Sequence, residues 1–130
     1  MQADPANAQA TYAALATFGA PLRNIRPEDF TDRRGFFRFG RDPHGFDILP
    51  GIPGVDFETA WERRVEGVID AATGLKAWFI AKEDLITAKL ASGRLRDLAD
   101  VEDIRAASRS LEPASPKNKP ADPEGNGPKQ

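Results

Sequence analysis

Cysteine is absent from this chain. That excludes a disulfide framework, a zinc–thiolate centre and a thiol nucleophile. Histidine occurs once, as His44, inside the turn-forming run Asp42-Pro43-His44-Gly45. A lone histidine in a turn, with no paired serine or cysteine, gives no catalytic triad. No apolar run approaches the ~18 residues a membrane span needs. The N-terminus lacks the basic-then-apolar layout of a secretion signal. Neither GxxxxGK[ST] nor GxGxxG occurs, which removes phosphate-loop and dinucleotide-loop readings. Excess positive charge is missing too: 18 Lys and Arg against 20 Asp and Glu leave a net charge of −2. Bulk electrostatic binding to nucleic acid or a membrane is not expected from that balance. The expected compartment is the cytoplasm, with no membrane partner.

What is present fits an ordinary globular chain. Of 130 residues, 40% are apolar and 29% charged. That is enough for one domain with a modest core. Residues 4–19 read as a helix: Asp4 is suited to the N-cap, Pro5 to the first turn and Gly19 to the C-terminal cap. PEDFT (27–31) reads as a single helical turn. GFFRFG (35–40) and GFDIL (45–49) then read as a hairpin. In its second strand Phe46 and Ile48 face one way, Asp47 and Leu49 the other. Asp56 is expected to cap a short helix with Phe57, Ala60 and Trp61 on its buried side. RVEGVID (64–70) and LKAWFI (75–80) form a second strand pair. Helices follow over 82–92 and from about Leu95 to Leu111, broken at Gly93. Residues 112–130 carry five of the eleven prolines and no large apolar side chain, and are expected to be a disordered tail. The expected class is α+β, with helices packed on a small mixed sheet over residues 1–111.

Two placements raise chemical questions. Asp47 interrupts an apolar strand, and an unpaired buried carboxylate is costly. It is either a hard oxygen ligand for a metal beside phosphates or an edge-strand acid paired with an arginine across the hairpin, such as Arg38. In DLITAKLASGRLRDLADV (84–101), Lys89, Arg94, Arg96, Asp97 and Asp100 interrupt a helical apolar pattern. Lys89 would sit on a nucleotide phosphate with Asp97 as an orienting acid. The simpler alternative is two solvated helices laced by i,i+4 pairs such as Arg96–Asp100. Asp56 and Glu58, two apart, resemble paired metal ligands, but Asp56 precedes a helix and is more simply its cap. Asp100 and Glu102 point different ways on a helix. Arg33, Arg34, Arg38 and Arg41 form a local basic cluster.

The stretches FRFG…GFDILPGIPGVDFETAWERRV and DLITAKLASGRLRDLADV resemble bacterial nucleotidyltransferase-fold proteins, relatives of the minimal nucleotidyltransferases that include the abortive-infection toxin type. The resemblance spans about residues 5–107. It implies Mg²⁺-dependent transfer of a nucleotide from an NTP to an RNA or protein acceptor, in a toxin–antitoxin setting. That family takes two carboxylates from a D-x-D strand after a Gly-Ser turn, and a third from an h-D-h strand. Phe46-Asp47-Ile48 matches the third, which makes Asp47 the metal ligand. Lys89 matches the nucleotide-contacting lysine, Asp97 the acid of the R-D-L motif and Asp100 its second acid. The implied catalytic set is Asp47, Lys89 and Asp97, and the nucleotide-binding set is Lys89, Arg96 and Asp100. Ala81 stands where the family often has a Ser cap, leaving only the capping-box acid, Asp84.

The family's D-x-D strand belongs just before the first helix, and here only Met1, Gln2 and Ala3 precede Asp4. The expected fold is therefore an incomplete nucleotidyltransferase-like one, truncated at its N-terminus, with an open sheet edge for a partner chain. Several anionic oxygens are needed to hold two ions. Transfer is accordingly expected only where the acidic strand is supplied. The rival reading is a catalytically inactive, truncated binding or interaction module. A third, nucleic-acid binding, rests on the Arg33–Arg41 cluster.

Overall fold

A computed structural model describes residues 1–111 as four helices, one 3-10 turn and two small antiparallel sheets. The expected proline-rich tail, 112–130, lies outside the described residues. The α+β class follows directly from these elements. The sheet does not form one mixed layer: each hairpin stands as a separate two-stranded sheet.

Helix α1 (Pro5–Phe18) starts where Asp4 accepts a hydrogen bond from the Asn7 backbone N–H at 2.8 Å. It ends at Gly19, whose φ of +88° is the left-handed conformation that closes helices. The 3-10 turn (Pro27–Thr31) packs under it and contributes Phe30, which is fully buried. Strands β1 (Phe37–Phe39) and β2 (Phe46–Ile48) pair with Arg38 directly opposite Asp47. The pleat sends Phe37, Phe39, Phe46 and Ile48 toward α1, where Ala8, Leu15, Phe30 and Phe39 make the main core. Phe30 and Phe37 pack ring to ring at 4.6 Å.

The second half begins with α2 (Phe57–Glu62), capped as expected by Asp56, which accepts from the Thr59 N–H at 3.0 Å. Its apolar side is not buried, contrary to expectation. The helix has only six residues, too short to reach the main core, and Trp61 remains 42% exposed. Strands β3 (Val65–Asp70) and β4 (Leu75–Phe79) pair antiparallel, with an irregularity between Val68 and Asp70. The aromatic ring of Phe79 lies over Gly67: a Cβ there would stand 2.7 Å from it. Val65, Val68, Ile69 and Leu75 are exposed. Among the described residues neither sheet has a third strand.

Helices α3 (Lys82–Ser92) and α4 (Leu95–Leu111) pack on each other around Gly93, whose φ is +67°. Their burial inverts the usual order. Asp84, Asp97 and Val101 are buried, while Leu90, Leu95 and Leu98 are exposed. Buried acids must be paired, and both are. Asp84 receives the Arg63 guanidinium, with Nε–Oδ2 at 3.1 Å, and this ties the end of α2 to α3. Gly54, at φ +72°, brings the segment before α2 against α3. A Cβ there would lie 2.6 Å from the Ala91 methyl. No helix among the described residues is long and apolar enough to cross a membrane.

Candidate functional site

Lys89 is the hub of the second motif. It projects from the last turn of α3, and the glycine turn at Gly93 folds the first turns of α4 back toward it. Its Nζ donates to Asp100 Oδ2 at 2.5 Å and to Asp97 Oδ1 at 3.3 Å. Asp97 also takes Arg94 Nε at 2.6 Å and Nη2 at 3.4 Å. The Arg94 guanidinium, opposing some desolvation, holds the Asp97 carboxyl far below the ordinary carboxylate range. The bond to Asp100 raises the Lys89 ammonium above its usual value.

The resemblance names Asp47, Lys89, Arg96, Asp97 and Asp100, and only three of them come together. Lys89, Asp97 and Asp100 meet, with Arg94 as the added member. The simpler alternative fails in one respect. Asp100 bonds Lys89 across the helix pair, and Arg96 stands exposed with no ion pair among the described residues. Four opposed charges make the cluster neutral. An incoming phosphate would reach Lys89 by displacing Asp100, which is 38% exposed, while Asp97 at 4% stays in place.

Asp47 sits elsewhere. Both of its oxygens are taken by Arg38, at 2.8 and 3.0 Å, in a fork-to-fork pair across the hairpin. That bond lowers the Asp47 pKa and raises that of Arg38. Arg38 also lies over the Phe36 ring at 5.6 Å. Asp47 makes no hydrogen bond or ion pair with Lys89, Asp97 or Asp100. Among the described residues, no three carboxylate, histidine or cysteine side chains gather where a metal ion could be held. The residues present, as arranged, therefore do not fit a Mg²⁺ pair. His44 lies exposed in the hairpin loop.

Two features escaped the sequence reading. One is the Arg63–Asp84 pair. Its signal was an acid at the third position of a helix whose cap, Ala81, offers no side chain to complete a capping box. The other is a cleft of about 1130 Å³ between the N-terminal residues, the 33–36 and 49–61 segments and the end of β4. None of Asp47, Lys89, Arg96, Asp97 and Asp100 lines it.

The comparison with protein families falls on the second half of the chain. Residues 53–109 match the model of a family described as a nucleotidyltransferase of unknown function (DUF6036). The matched span carries α2, the second hairpin and the whole Lys89–Asp97–Asp100 cluster. It stops short of Asp47. No curated protein and no solved structure matches the chain. The match supports a nucleotidyltransferase-like family.

Proposed function

We propose that this chain is a nucleotidyltransferase-family protein in which the α3–α4 cluster takes the phosphates of an NTP. The observation that carries this is the position of Lys89 inside the family-matched span. It is held by one buried acid and one exposed acid at the mouth of a helix turn. Asp97 acts as a positioning residue: bound to Arg94, it keeps the ammonium in place when Asp100 lets go. Arg96, exposed beside the cluster, is free to swing toward the same anion.

Metal-dependent transfer to an acceptor asks for more than these residues supply. Asp47 is the proposed metal-facing carboxylate, but it has first to leave Arg38, and further carboxylates have to join it from an acidic strand. That strand would come from the same polypeptide or from a partner chain. Without it, the same cluster makes a nucleotide-binding module with no transfer activity. The fork-to-fork engagement of Asp47 favours this second reading for the arrangement described.

The test is NTP-dependent labelling of RNA or protein in the presence of Mg²⁺, with the acidic strand supplied by fusion. Transfer that appears with the strand and disappears in Asp47→Ala supports the enzyme. Labelling unchanged by Asp47→Ala removes Asp47 from the site.

A further inference from the structure

We infer that the cleft between the N-terminal segment and β4 binds single-stranded nucleic acid, with a base stacked on Trp78 and the backbone held by Arg33 and Arg34. Three observations lead there. First, the chain has only two tryptophans, and both line this cleft. The Arg64 guanidinium touches both rings, which meet edge to face: it lies 4.0 Å from the Trp61 ring centre and 4.5 Å from that of Trp78. Trp78 is nevertheless 51% exposed, so it offers ring surface to a further flat partner. Aromatic rings interleaved with guanidinium groups are the usual platform for unpaired bases.

Second, the charges in the cleft are unequally committed. Its three acids keep their charge but spend their oxygens on neutral donors: Asp4 and Asp56 cap helices, and Glu58 accepts from Gln2 Nε2 at 2.5 Å, while Asp56 lies within electrostatic reach of Arg33. Arg33 has no ion pair among the described residues, and Arg34 touches only Asp32, at 3.6 Å and with its side chain 93% exposed. The Arg33 backbone is fixed at the cleft wall by Gly51, where a Cβ would come within 2.6 Å of its carbonyl oxygen. Third, at about 1130 Å³ and open to solvent along one side, the cleft has room for a short polymer segment. The site shares none of the proposed NTP-binding or metal-facing residues, so it stands or falls separately from the transfer reading.

Tryptophan fluorescence reads the cleft directly. The full chain is titrated with an octamer of uridylate, the matching thymidylate DNA octamer, a duplex and free UMP. Saturable quenching by either octamer, weakening as salt rises, is expected. Trp78→Ala should raise Kd roughly 5- to 140-fold, the range that follows from measured base–aromatic stacking. Should that variant lose its helical circular dichroism, Trp78→Leu serves in its place. Arg33→Ala with Arg34→Ala, both on the surface, should flatten the log Kd–log salt slope by about 1.4, at ~0.7 per phosphate contact. Absence of quenching, UMP or duplex binding as tight as the octamers, or a slope untouched by the double arginine change would overturn the assignment.

Discussion

Gly54→Ala probes the contact that seats the family-matched half of the chain. Gly54 lies at φ +72°, and its α-carbon faces the Ala91 methyl on α3 so closely that a new Cβ would sit at 2.6 Å. Two costs follow. An L-residue held in the left-handed region loses about 1–2 kcal/mol. Forcing a methyl against a helix side chain that has no far end to swing away costs about 1–3 kcal/mol more. The sum is roughly 2–5 kcal/mol, or a thermal midpoint lower by about 10–25 °C in a domain of this size. The two parts separate in a double-mutant cycle. Ala91→Gly alone costs about 1 kcal/mol of helix propensity. In the pair, the steric part of the Gly54→Ala penalty should vanish while the backbone part remains, giving a coupling of about 1–3 kcal/mol. Thermal melts followed by circular dichroism measure all four corners. Strict additivity, or a Gly54→Ala midpoint matching the parent, would refute the docking of this segment on α3.

Phe30→Ala empties the centre of the main core and should cost about 3–5 kcal/mol in urea unfolding. Asp97 has its pKa depressed in the folded chain, so its stabilising contribution is complete above its ordinary value of 3.8 and fades as pH falls toward the folded value. Asp97→Asn should therefore flatten the acid side of a stability–pH profile, and a profile of unchanged steepness would count against the pairing with Arg94. Asp47→Asn should leave the thermal midpoint nearly unaltered, because its ion pair with Arg38 is on the surface and screened by solvent. A large loss would mean that the hairpin depends on that pair.

Much of the fold was legible because local chemistry decides local structure. Asp4, Asp56, Gly19 and Gly93 sit where caps must be, and each plays the expected part. The Arg38–Asp47 alternative was also readable, since the hairpin length alone sets those two opposite. Asp97 was read as an acid that orients Lys89, but the bond from Lys89 to Asp100 was not, because i,i+4 spacing set Asp100 against Arg96 and only the fold of the glycine turn brings it to Lys89. What could not be read were contacts set by tertiary placement. Nothing local to Arg63 announces Asp84, which lies 21 residues on. Trp61 looked like a core residue by its spacing on α2, yet a six-residue helix does not bring it to the core, and it stacks on Arg64 instead. Strand signals identify hairpins but not whether two hairpins join, and here they form separate sheets.

The most direct measurement is a calorimetric titration of the chain with ATP and Mg²⁺, compared with Lys89→Ala. The account predicts one binding event in the parent chain, weakened at least about tenfold in the variant, the size of one lost charge-assisted phosphate bond. Equal affinity in the two proteins, both folded, or no heat of binding in the parent would contradict it.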